Sequence, residues 1–154
     1  MSIPLPVDYW FEYPVRVQPH HTDYAGVVWH GTYITWLEEA RVEALRLTGL
    51  DYAQLVSLGC ELPVIDLAIQ YRRPLKMGMT GLVKARMQPM QGVRIIWDYE
   101  ICTSDGQLCV TAQVTLVTLD WQTGKIMRRL PPELKQVLDP KQALDLIDNP
   151  QADS

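Results

Sequence analysis

Residues 20–41 read HHTDYAGVVWHGTYITWLEEAR. They gather all three histidines of the 154-residue chain beside one aspartate, a small-residue turn and the start of a helical pattern. From Thr32 the apolar residues Tyr33, Trp36, Leu37, Ala40, Ala44 and Leu47 recur at three-to-four spacing, with Ile34 and Leu45 alongside, which is the period of an amphipathic helix. Gly49 supplies its C-terminal stop. Ahead of the helix, Asp23 lies among Thr22, Tyr24 and Gly26 in a stretch that reads as buried, where a carboxylate is costly unless something pairs or uses its charge. On the residues alone Asp23 is either an Asx-turn carboxylate or a chemical group, and both readings stand.

Outward from this stretch the pattern changes period. Before it, Phe11 to Val17 reads as a strand, ended by Pro19 and the polar run His20 to Asp23. After it, Asp51 caps a short helix through Leu58, stopped by Gly59. Val64 to Tyr71 then alternates Ile65, Leu67, Ile69 and Tyr71 against Asp66, Ala68 and Gln70. Gly81 to Met87 follows, then Val93 to Cys102 with Ile95, Trp97, Tyr99 and Ile101 on one face. SDGQ at 104–107 is a hairpin turn. Leu108 to Trp121 reads as one long strand, and Pro131 and Pro132 open a helix to Leu138. The expected organisation is one domain over 1–138 and a loosely docked polar tail over 139–154. Strand, long helix, short helix and a run of strands joined as hairpins make an α+β fold with an antiparallel sheet of about five strands. The helix's apolar arc takes in Trp36 and Val42 beyond its core stripe, an excess that dimerisation would cover.

Composition narrows the function. With 47% hydrophobic and 21% charged residues the chain is an ordinary globular protein, and its net charge of −4 argues against a nucleic-acid partner. From Arg72 to Arg129, however, nine Lys/Arg face four acids, a local excess of +5. This is a solvated strand face or a patch for a small anionic ligand. Three widely spaced cysteines without a CxxC, and no opening signal peptide or long apolar span, point to a reducing cytoplasm and to no membrane span.

Several chemistries lack their residues. Adjacent His20 and His21 on an extended chain point to opposite faces and no HExxH occurs, so no metal is expected. No GxSxG elbow, Gly-rich phosphate loop or dinucleotide fingerprint is present, and no cofactor is called for. Cys60, Cys102 and Cys109 read as packing residues.

The stretch TDYAGVVWHGTYITWLEEAR resembles the active-site signature of hotdog-fold thioesterases of the 4-hydroxybenzoyl-CoA thioesterase-like family, T-D-x-x-G-h-V-x-H/Y/N-x-x-Y with E-x-x-R on the helix. Thr22, Asp23, Gly26, Val28, His30 and Tyr33 fall on it, with Glu38 and Arg41 behind. IQYRRPLKMG and RRLPPEL resemble two further segments of that family, so the likeness covers about residues 11–138. It implies a hotdog fold, the sheet wrapped around the long helix, assembled as a homodimer or dimer of dimers with active sites between subunits. It implies an acyl-CoA thioesterase in which Asp23 attacks the thioester carbonyl or activates water, and in which a backbone N–H at the helix start, that of His30, donates to the oxyanion. The His30 imidazole is a second catalytic candidate, and Gly26 allows the turn that aims Asp23. Tyr33, Trp36, Val64 and Trp97 are expected to line an acyl tunnel. Arg73, Lys76, Arg94 and Arg128 are the candidates for the phosphates of coenzyme A. Glu38 has the plainer role of pairing with Arg41 or another Lys/Arg nearby. An acyl-carrier-protein thioesterase and a non-catalytic acyl-CoA-binding protein are the alternatives. A hotdog dehydratase is disfavoured because neither of its histidine signatures occurs.

Overall fold

The computed structural model describes residue 5 and residues 8–138; the tail expected from 139 lies outside these residues. Seven strands and three α-helices follow in the order β1 (Phe11–Arg16), α1 (His30–Leu47), α2 (Tyr52–Ser57), β2 (Cys60–Glu61), β3 (Val64–Tyr71), β4 (Thr80–Met87), β5 (Ile95–Thr103), β6 (Leu108–Leu116), β7 (Leu119–Asp120) and α3 (Pro132–Leu138). Five strands form one antiparallel sheet in the order β1-β4-β5-β6-β3, and α1 packs against β4 and β1.

The alternation of each strand sorts its side chains to the helix side or the outer side. On the helix side the register aligns Phe11, Ala85, Tyr99, Ala112 and Ile69 in one row across the sheet. Tyr99 thus stands between two alanines, which leaves room for its ring to reach up to α1. Ala40 and Ala44, both fully buried, let the helix approach closely there. Ile95, Trp97, Tyr99 and Ile101 are all buried, as the alternation of β5 requires. Each such side chain contributes about 1.5–3 kcal/mol by leaving water. On the outer side Arg86 and Asp98 face each other, and Asp98 also accepts from Gln88 and Gln113 at 2.7 and 3.1 Å.

The expected long strand over 108–121 is interrupted. Val117 and Thr118 leave the ladder, and Leu119–Asp120 pairs instead with Cys60–Glu61 as a separate two-stranded ribbon. Alternation cannot signal a strand that changes sheets, because both halves keep period two. The long helix begins at His30, two residues before its apolar period does. Asp51 caps α2 as expected, its Oδ1 accepting from Gln54 N while Gln54 Oε1 accepts from Asp51 N, both at 2.8 Å. The three thiols are buried and free, and burial pushes each of them up from the ordinary thiol range, consistent with packing.

One expectation is corrected. Trp36 is buried in its own chain and Val42 is half-buried, so these two residues do not supply the excess apolar surface assigned to them. Exposed apolar surface is concentrated on β3, where Val64, Ile65, Leu67 and Tyr71 are 46, 52, 38 and 53% exposed, an edge strand that α1 meets only near its Tyr71 end.

Candidate active site

The stretch from Thr22 to Val28 folds as a tight antiparallel turn closed by a Thr22–Val28 bridge. Asp23 N donates to Val27 O at 2.9 Å, and Gly26 N to Asp23 O at 3.0 Å. Gly26 sits at φ +76°, a left-handed conformation in which a side chain would be strained. The segment before β4 clamps the turn from outside: Val28 N donates to Leu75 O and Met77 N to Gly26 O, each at 2.9 Å.

Asp23 is exposed rather than buried, because its turn stands at the mouth of a cleft instead of under the sheet. Its Oδ1 accepts from Ala25 N at 2.9 Å and Val27 N at 3.3 Å. Among the described residues no hydrogen bond reaches Oδ2. The Asx turn and the chemical role are therefore compatible: one carboxylate oxygen fixes the group and the other faces outward.

The N-terminus of α1 opens into the same cleft. Its N-cap, Trp29, offers no side-chain acceptor, so the amides of His30 and Gly31 are left without a cap, and unpaired amides at a helix start favour negative charge. The cleft measures about 470 Å³ and is lined by Asp23, Trp29, His30, Tyr33, Tyr71 and Arg73, together with Arg72, Pro74 and Val27–Val28. Trp29 was outside the sequence expectations, although its indole forms one wall. The ring lies directly over Gly31, where an added Cβ would collide with it. The signal was present in the bare glycine after the histidine. Tyr33 Oη accepts from Leu75 N at 3.4 Å, and burial pushes its phenol up, so its hydroxyl ties the helix to the β3–β4 connection while its ring edges the cleft.

The basic candidates separate. Arg73 lines the cleft, and Lys76 sits on the clamp through its bridge to Val27. Arg72 also lines it, but its guanidinium donates to Gln70. Arg94, in the turn before β5, and Arg128, beyond β7, lie at the opposite end of the sheet. Of the expected tunnel residues, Trp36 and Trp97 are core and only Tyr33 reaches the cleft, while Val64 belongs to a different cavity. Glu38 makes no ion pair with Arg41 among the described residues; Arg41 is buried, and its Nη1 donates to Tyr99 Oη at 3.0 Å.

A five-stranded antiparallel sheet packed over one long helix is the hotdog fold of the thioesterases among its structural neighbours. The model of the Thioesterase-like superfamily matches residues 17–138, and the chain belongs to that family. A Synechocystis protein called "Putative esterase sll0410" is 58% identical over 84% of this chain and 78% of its own length. The acyl-CoA thioester hydrolase YbgC of Escherichia coli O6:H1 is 27% identical over 71% of this chain and 82% of its own. Among solved structures, Slr0204, a 1,4-dihydroxy-2-naphthoyl-CoA thioesterase from Synechocystis, superposes with a TM-score of 0.76 at 26% identity, covering 86% of this chain and 98% of that one.

Proposed function

We propose that the protein hydrolyses an acyl-CoA thioester in the Asp23 cleft. The observation that carries this reading is the convergence of the Asp23 carboxylate and the uncapped amides of α1 on one cavity. With the thioester carbonyl oxygen at the His30 N–H, charge developing on that oxygen meets a donor and the positive end of the helix dipole, a contribution of about 3 kcal/mol per donor. The outward oxygen of Asp23 takes a proton from water as the water attacks, and the tetrahedral intermediate collapses to the acid and the CoA thiolate. Direct attack by Asp23, giving a mixed anhydride that water then opens, uses the same geometry. The His30 imidazole shapes the entrance and orients the substrate.

From this protomer Arg73, which lines the cleft, and Lys76, on the adjoining segment, meet the phosphates. Arg94 and Arg128 reach the cleft only from a second copy. Antiparallel pairing of two β3 edges sets the Val64 end of one strand against the Tyr71 end of the other, which covers the apolar row on β3 and carries the partner's far end toward Asp23. The assembly is thus a homodimer or a dimer of dimers, acting in the cytoplasm.

Thiol release from a panel of aromatic and aliphatic acyl-CoAs tests the activity. Turnover of at least one is expected, whereas tight binding with uniform inactivity overturns hydrolysis in favour of a binding protein. KM for acyl-CoA should rise with salt while that for the matching acyl-pantetheine stays flat, because exposed charge pairs are screened over about 10 Å at 0.1 M. Leu67→Lys on the β3 edge should yield monomers in sedimentation with most activity lost. Wild-type protein that is monomeric and active removes the shared site.

A further inference from the structure

Asp23 and the open amides of α1 lie on separate segments, and His21 joins the two from a place two residues ahead of the carboxylate. Its carbonyl oxygen accepts from Trp29 N at 3.2 Å and from Thr32 Oγ1 at 2.9 Å, which ties the start of α1 to the chain leading into the Asp23 turn. The direction of that carbonyl is set by the 3₁₀ turn Pro19–His21. The His21 side chain closes this turn: Gln18 N donates to Nδ1 at 2.9 Å, while His21 N donates to Gln18 O at 3.0 Å. An imidazole nitrogen receives a backbone N–H only when unprotonated, so the neutral ring carries its proton on Nε2. The ring is seated edge-on against Trp36 of α1, with centroids 5.2 Å apart, and beside His20 at 4.1 Å. The charged or titratable groups facing it are His20 on its own turn and Glu39 from α1, which also receives Tyr13 Oη of β1 at 2.9 Å; β1 further offers the Arg16 backbone. Burial and His20 push the imidazole below its ordinary range, against the opposing pull of Glu39 and the Arg16 backbone.

We propose that His21 is a positioning residue for the hydrolysis assigned to the Asp23 cleft: its neutral imidazole holds the turn that sets Asp23 against the α1 amides, and its protonation releases that turn. This rests on the hydrolytic reading and adds a proton-dependent control to it. A proton on Nδ1 makes the acceptor a donor facing the Gln18 N–H, so the closing bond is lost and two donors meet. The carbonyl that holds Trp29 and Thr32 then loses its fixed direction. Misplacing a reacting group by about 1 Å can cost roughly a hundredfold in rate, so the release is read in kcat. His21 is not among the residues lining the cleft, so KM should move less.

The test is kcat and KM against pH, on an acyl-CoA that the wild type turns over, for His21→Asn and His21→Leu. Asparagine offers Oδ1 to the Gln18 amide and does not titrate; leucine fills the space against Trp36 and offers no acceptor. His21→Asn should keep kcat within about threefold of wild type at about pH 8 and sustain it to a pH about one unit lower before it falls. His21→Leu should lower kcat about tenfold or more at about pH 8, with KM within about threefold. In substrate-free wild type, NMR of the ring nitrogens should show the Nε2–H tautomer at neutral pH, and the Gln18 amide should lose hydrogen-exchange protection as the ring titrates. Should His21→Leu not fold, His21→Asn and the NMR titration still decide. A wild type without a fall of kcat in acid, the same fall retained in His21→Asn, or wild-type kcat in His21→Leu overturns the proposal. So does a ring that titrates while the Gln18 amide stays protected. Wild-type inactivity toward every acyl-CoA is a separate result: it overturns hydrolysis itself, and the positioning role with it.

Discussion

Asp23 and Arg41 carry opposite charges along the same helix unit, and they are held in opposite ways. The carboxylate is exposed, with two backbone amides on one oxygen, whereas the guanidinium is buried beside the phenols of Tyr99 and Tyr52 with an orphaned Nε. In the sequence the costly charge looked like Asp23. In the structure it is Arg41. A charge at the surface is cheap to hold and so is free to act, while a buried, under-satisfied charge makes the local fold depend on its few partners.

In folding stability this contrast can be broken at several points. Tyr99→Phe removes the hydroxyl that receives Arg41 Nη1 and should destabilise by about 3 kcal/mol, read from the urea midpoint at unchanged slope. A loss below about 0.5 kcal/mol would mean that Tyr52 alone satisfies the guanidinium. Arg41→Met, which removes the buried charge instead of its partner, should be neutral or stabilising by about 1 kcal/mol. Burial pushes the Tyr99 phenol up to about 12 from the ordinary 10. The folded state thus holds this proton more tightly than the unfolded one. Its contribution is full below pH 10 and is lost as pH rises from 10 to 12. That alkaline loss should be absent from the Tyr99→Phe titration. Asp51→Ala, which removes an exposed cap, should cost about 1 kcal/mol.

Gly31→Ala sharpens the comparison at the site rather than in the core. The methyl group must push the Trp29 indole aside, and an exposed side chain can move. Stability should change by less than about 0.5 kcal/mol, but KM for the acyl substrate should shift as one cleft wall is displaced. An unchanged KM would show that the indole does not meet substrate.

Legibility from sequence followed the range of the interaction. The turn around Asp23, the helix behind it and the Asp51 cap are built from neighbours within a few residues, and all were readable. β5 and β3 have the same apolar alternation, yet β5 is central and buried while β3 is an exposed edge. Periodicity gives the side on which a residue lies, not what covers it. The burial of Arg41 depends on Tyr99, 58 positions away, standing between Ala85 and Ala112 across three strands. Nothing local to the helix records that. Val64 is expected in the acyl tunnel, and within one protomer the sheet carries it to the opposite end from Asp23, into a different cavity.

The most direct measurement is kcat of Asp23→Asn for acyl-CoA hydrolysis, taken with its melting temperature and acyl-CoA affinity. Asparagine keeps the side-chain oxygen that accepts from Ala25 and Val27 and removes the charge. The account predicts kcat lower by at least about a hundredfold, with melting temperature and binding near wild type, and a smaller loss in His30→Ala, whose backbone amide remains. Asp23→Asn retaining more than about a tenth of wild-type kcat while His30→Ala abolishes turnover would contradict it and give the role to the imidazole.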